Sequence, residues 1–150
     1  MGLSRGGKGT KIHLIAEARG LPVGFLLTPG QTGELKVAQD LLVHARKQAP
    51  RHRWPTRLAG DKGYSKPAFR CWLKRRHMQV VIPTRKDEDR LGRRDPHFDK
   101  KAYRHRNVIE RCFGHLKECR RICTRFEKLA LNFRAMVTLA IIAMYFRLHL

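Results

Sequence analysis

The first regular pattern in the chain is an alternation. Across residues 10–17, Ile12, Leu14 and Ala16 fall on one side and Lys11 and His13 on the other. A two-residue period of this kind predicts a half-buried strand, with His13 as an outward polar residue. Arg19-Gly20 supplies a turn, and residues 21–27 return as a second strand, with Pro22 near its start, where a missing N–H is tolerated. The two strands predict a hairpin. After the turn Thr28-Pro29-Gly30-Gln31 the period changes. Leu35, Val37, Ala38, Leu41, Leu42 and Ala45 recur at helical spacing and predict an amphipathic helix over Glu34–Gln48. Residues 50–55 form a basic linker in which Trp54 covers the edge of a core, with stacking on a base as the alternative. Residues 56–61 predict a short strand ending in Asp61. Ser65 as cap and Pro67 in the first turn then open a helix that ends near His77 and turns Phe69, Trp72 and Leu73 inward. Residues 79–83 predict a short buried strand. Asp61 thus opens a strand-to-helix loop, where open α/β sheets carry their active residues. A turn or cap aspartate is the plainer alternative.

Residues 85–96 are dense in charge and lack a period, which predicts a mobile loop with solvated acids. Residues 103–117 contain no proline and predict one continuous helix. Val108, Ile109, Cys112, Phe113 and Leu116 cover an arc of roughly 140° of it. Tyr103, Arg106, Glu110 and Lys117 fall within about 60° along one edge of that stripe. The helix therefore presents an acid, two cations and a phenol beside its buried face. A solvated basic face with an incidental Glu is the alternative. Asn132 is positioned to cap a last helix running from Phe133 to about residue 148. Residues 135–146 are apolar except for Thr138, too short a run for a bilayer, which needs about 20 residues. They predict a buried C-terminal helix packed on the sheet or on another subunit.

Composition points in one direction. The 150 residues suit one domain, and 33 Lys and Arg against 12 Asp and Glu give a formal charge of +21. The excess runs along the whole length, so nucleic acid is the default partner and an anionic membrane surface the lesser one. Ribosomal-type RNA-binding proteins share this composition. Cys112, Cys119 and Cys123 lie at helix-face spacing and predict buried thiols in a reducing cytoplasm. A metal site from His115, Cys119 and Cys123 is the minor alternative. Residues 1–9 are glycine-rich and basic, without the apolar core of a signal peptide, and are expected to fray.

Tyr103-x2-Arg106-x3-Glu110-x6-Lys117 matches the Y-x2-R-x3-E-x6-K pattern of bacterial insertion-sequence transposases of the DDE type. The stretches 106–111 and 120–122 resemble the insertion sequence five family, as does Gly60-Asp61-Lys62-Gly63-Tyr64, which is similar to its second-aspartate block. Gly6-Gly7-Lys8-Gly9-Thr10-Lys11-Ile12-His13 and Gly20-Leu21-Pro22 resemble its early hairpin. The resemblance implies an α/β, RNase H-like mixed sheet flanked by helices. It also implies phosphodiester cleavage and strand transfer at two Mg²⁺ ions about 4 Å apart. On this resemblance Asp61 and Glu110 are the second and third acids and metal ligands, while Tyr103, Arg106 and Lys117 position the DNA backbone. The family's first Asp lies on a strand ahead of the stretch matched by residues 6–13. The resemblance therefore implies an N-terminally truncated catalytic domain, inactive alone, acting on transposon ends and target DNA. It further implies a homo-oligomer when complete, in the bacterial cytoplasm at the nucleoid and away from membranes. Only 48 residues, 62 to 109, separate the two acids, too few for a large insertion domain. The competing classes are a non-catalytic basic nucleic-acid-binding protein and a subunit that binds and inhibits a full-length transposase.

Overall fold

The protein, seen in a computed structural model, is described over residues 2–4, 7–49, 52–92, 95–96, 98–124 and 127–149. It is a mixed α/β chain whose residues cluster into two compact units. One joins Met1–Thr32 to Asn107–Leu150, and the other is Gly33–Arg106. Met1, Gly6, Pro50, Arg51, Arg93 and Arg94, on which some of the sequence expectations fall, lie outside the described residues.

The first unit holds a three-stranded antiparallel sheet, β1 (Gly2–Ser4), β2 (Gly7–Ala16) and β3 (Pro22–Pro29), in that order. The predicted hairpin is present, and its glycine-rich start is paired rather than frayed, with Gly2 opposite Gly9 and Ser4 opposite Gly7. At the far end of β3 the Gly30 N–H donates to the Gly9 carbonyl at 2.9 Å. A Cβ on Gly30 would sit 3.3 Å from that oxygen, so glycine permits the close approach. The register sets Leu14 opposite Phe25 and Ile12 opposite Leu27. These pairs cover a cluster made by Cys112 and Leu116 of α5 (Asn107–Glu118), Ile122 of α6 (Arg120–Cys123) and Phe133, Val137 and Met144 of α7 (Ala130–His149). The alternation Ile12, Leu14, Ala16 therefore faces the core as its period predicts. Each fully buried apolar side chain of this set contributes about 1.5–3 kcal/mol.

Four sequence expectations are corrected in this unit. His13 is not outward but buried, with Nε2 2.7 Å from the Thr28 hydroxyl on the paired strand. The helix expected over 103–117 is broken. Its first part is α4 (Lys100–Arg104), which belongs to the other unit, and α5 starts afresh at Asn107. The Arg106 N–H bonds back to the Tyr103 carbonyl, a three-residue step that tightens and ends α4. Cys123 is exposed and Cys119 half-buried, leaving Cys112 as the buried thiol of the three. Their helical spacing is lost because α5 stops at Glu118 and Cys119 caps α6. Finally, α7 starts at Ala130 with Asn132 inside it and runs 20 residues, long and apolar enough to cross a membrane. It packs on the sheet as expected but is buried along one face only: Phe133, Val137 and Met144 face inward, while Leu131, Leu139, Ile142 and Phe146 are exposed.

The second unit begins with α1 (Glu34–Gln48), whose inward residues Val37, Ala38, Leu41, Leu42 and Ala45 are those of the predicted stripe. Strands β4 (Arg57–Ala59) and β5 (Gln79–Val81) pair in parallel, joined through α2 (Pro67–Lys74). Pro67 stands in the first turn of α2 as expected, but Ser65 does not cap it; the residue at the cap is Lys66, which makes no side-chain cap bond. The charged stretch contains a one-turn helix, α3 (Lys86–Arg90), and Glu88 is buried rather than solvated. The helix α4 that closes the unit is capped by Asp99, whose carboxylate accepts the Ala102 N–H at 2.8 Å.

Candidate active site

Asp61 lies two residues beyond β4, at the carboxyl end of a parallel strand. Its carboxylate accepts the Gly63 N–H at 2.7 Å and its carbonyl accepts the Tyr64 N–H at 3.1 Å, which starts a 3-10 turn over Lys62–Tyr64. A Cβ at position 63 would come 2.8 Å from the Asp61 Oδ1, so a larger residue there displaces the carboxylate. Locally, then, the turn-aspartate alternative describes what Asp61 does. The same bond holds a half-buried carboxylate in one orientation and leaves its other oxygen outside that bond. Tyr64 packs at 6.3 Å from the Phe69 ring. Burial, and then the nearby Glu34 and Asp61 carboxylates, push its phenol up to about 12.

Behind this turn lies a buried polar relay. The fully buried Ser65 hydroxyl donates to the Glu88 carboxylate and accepts from the Arg70 Nη2 at 3.0 Å. Arg70 also donates to the Ile82 carbonyl at 2.6 Å, and Glu88 accepts the Arg85 N–H at 3.1 Å. The Asp61 turn is thereby tied to α2, to the end of β5 and to α3. Buried polar groups that find partners in this way set one geometry rather than several.

Glu110 and Lys117 share the exposed face of α5, opposite Cys112 and Leu116. Seven residues apart, they are about 10 Å apart along the axis. Lys117 and Lys11 line a groove of about 310 Å³ with Thr10, Ile12, Phe113 and Leu116. The Lys11 ammonium is anchored on the Thr32 carbonyl at 3.1 Å. In the Gly33–Arg106 unit, the Arg106 guanidinium lies over the Tyr103 ring, 5.4 Å from its centroid, and Tyr103 packs at 5.4 Å from Phe98.

The five residues singled out in the sequence therefore fall into two sets: Asp61, Tyr103 and Arg106 in one unit, Glu110 and Lys117 in the other. Each of the two carboxylates, half-buried at Asp61 and exposed at Glu110, offers the hard oxygen that divalent cations take. Among the described residues no three of His, Cys, Asp and Glu gather as a ligand set. Sequence reasoning passed over Tyr64, Lys11 and the Ser65–Arg70–Glu88 relay. The first two stand inside the stretches that resemble the transposase blocks, so proximity in sequence was a usable signal. The relay had none, since its members are up to 23 residues apart.

The family model described as Transposase DDE domain matches residues 4–145. A protein of Brucella ovis named "Putative transposase for insertion sequence element IS6501" is 30% identical over 142 residues, covering 92% of this chain and 98% of that protein. A second, of Burkholderia cepacia, named "Putative transposase for insertion sequence element IS402", is 27% identical over 127 residues. The match takes in 81% of this chain and 56% of that protein, so the chain spans about half of its length. No solved structure matches. With the family model covering both units, the chain belongs to the transposase DDE domain family.

Proposed function

We propose that this chain is the part of an insertion-sequence transposase, of the insertion sequence five family, that carries the second and third acids of a metal-dependent DNA cleavage and strand-transfer site. Asp61 is the carrying observation: a carboxylate at the carboxyl end of a parallel strand, oriented by the Gly63 N–H and backed by a buried relay. Asp61 and Glu110 would hold divalent magnesium, which supplies Lewis-acid activation of the attacking oxygen and stabilisation of the leaving one. Tyr103, Arg106 and Lys117 would bind the DNA backbone, with cations placed for charge-assisted contacts to phosphate. In this reading the fold is RNase H-like, and Asp61 and Glu110 serve as ligands of one metal pair. The first acid comes from a further segment, since Glu17 is engaged by Arg19 at the hairpin turn and Glu34 opens α1. The chain alone then cleaves DNA poorly. A bacterial cytoplasmic setting at the nucleoid and a homo-oligomer in the complete assembly belong to the same reading, the latter supported by the exposed apolar face of α7.

The experiment is Mn²⁺ titration of the purified chain. Binding weakened by both Asp61→Asn and Glu110→Gln supports the site; binding indifferent to both overturns it. A net charge of +21 favours a second reading, a basic DNA-binding protein without catalysis, and indifference to those substitutions is the result it expects.

A further inference from the structure

One corner of the Gly33–Arg106 unit gathers cations that the proposed active site does not use. Arg46, in the last turn of α1, places its guanidinium carbon 4.7 Å from the centroid of the Trp54 ring. Arg76, just past α2, sits 5.2 Å from the same ring and 3.7 Å from that of Trp72. The two indoles meet edge to face at 5.5 Å, and Trp72 stacks on the buried Phe69 at 6.1 Å. An aromatic column rooted in the core thus collects two guanidinium groups from segments 30 residues apart in sequence.

These cations are held in place but not neutralised. The Arg46 Nε donates to the His52 carbonyl at 2.6 Å, the Arg76 Nη1 to the Trp72 carbonyl at 2.9 Å, and the neighbouring Arg57 Nε to the Gln79 amide oxygen at 2.8 Å. Every one of these acceptors is neutral. The chain has no acidic residue across 41–60 or across 62–86, while Arg53, Lys74 and Arg75 are exposed in the same stretches. Bringing like charges together without a counter-charge costs free energy, and a polyanion offsets that cost. Guanidinium groups already lie against Trp54, which argues against base stacking and for phosphate recognition.

We propose that this arginine–tryptophan corner is a second DNA-binding surface, which grips the backbone phosphates of a duplex through Arg46 and Arg76, flanked by Arg53 and Arg75. It rests on DNA being the partner and is independent of the two acids. The test is fluorescence anisotropy of the full chain with a labelled 25-base-pair duplex of arbitrary sequence over a salt series. Arg46→Gln with Arg76→Gln should raise Kd about tenfold at 0.1 M salt and make the log–log salt slope shallower by about two. Arg53→Gln with Arg75→Gln, which leaves the aromatic column intact, should shift the slope in the same direction. Arg46→Lys with Arg76→Lys should restore most of the affinity, since charge is what phosphate reads. An unchanged slope in both glutamine pairs, with circular dichroism confirming the fold, overturns the proposal. Tighter binding to single-stranded RNA than to the duplex also overturns it. Mn²⁺ binding separates the two readings. The glutamine pairs should leave it unchanged, and Asp61→Asn should weaken it without touching the salt slope.

Discussion

At the scale of single residues, the Asp61 turn makes the sharpest demands. Gly63 donates its N–H to the Asp61 carboxylate, and a methyl group at 63 would fall 2.8 Å from the same oxygen. Gly63→Ala should therefore displace the carboxylate while costing the fold no more than about 1 kcal/mol, because what must move is the end of a side chain. Mn²⁺ affinity should fall in that variant while its urea midpoint stays near wild type. Tyr64 gives a pH signature. Its phenol is raised to about 12 by burial and by carboxylates, so the folded state favours the neutral form. That contribution is fully present below the ordinary phenol value of about 10 and is lost as pH rises through about 12. Ultraviolet difference titration should show a phenol ionising near pH 12 that is missing from Tyr64→Phe. Ser65→Ala should cost about 1–3 kcal/mol, because Glu88 and Arg70 would each lose a partner inside the unit. Thermal denaturation measures it.

At the scale of elements, α7 has two faces of different meaning. Phe133 and Val137 close the core of the first unit, and Phe133→Ala should cost about 3–5 kcal/mol in chemical denaturation. The opposite face carries Leu131 at 78% and Phe146 at 66% exposure, together with Leu139 and Ile142. A helix that is apolar all round is normally covered, and a continuous exposed apolar face marks an interaction surface. If a second copy covers it, Ile142→Glu should shift sedimentation from dimer to monomer and remove the concentration dependence of the melting temperature. A wild-type chain that sediments as a monomer at tens of micromolar would remove that support for the oligomer.

At the scale of the whole molecule, charge decides the behaviour. An excess of 21 positive charges over 150 residues makes association with DNA a counterion-release process. Log affinity should fall linearly with log salt for the wild-type chain, and a salt-insensitive affinity would contradict phosphate contacts as the main term. With Mg²⁺ or Mn²⁺ and a labelled duplex carrying the element's ends, the chain alone should nick poorly. Efficient nicking that is abolished by Glu110→Gln would show that no further acid is required.

Features that depend on local pattern were legible in the sequence. The alternation of Ile12, Leu14 and Ala16 specified the inner face of the hairpin, the stripe through Leu41 and Leu42 specified α1, and Pro67 marked the start of α2. Asp61 could be assigned to a strand end because β4 is bounded by turn residues on both sides. Family membership was legible because motif spacing survives whatever the segments pack against. The rest depended on contacts between distant segments. His13 is buried and meets the Thr28 hydroxyl on the paired strand, which a two-residue period does not report. Glu88 is drawn out of a charged stretch by Ser65, 23 residues upstream. The break before Asn107 places Tyr103 and Arg106 in a different unit from Glu110, although a helical wheel drawn through 103–117 aligns them. Arg46 and Arg76 meet on Trp54 only once α1 and α2 are in place. Periodicity records what one segment prefers, whereas burial, pairing and the gathering of charge depend on what distant segments bring to the same point.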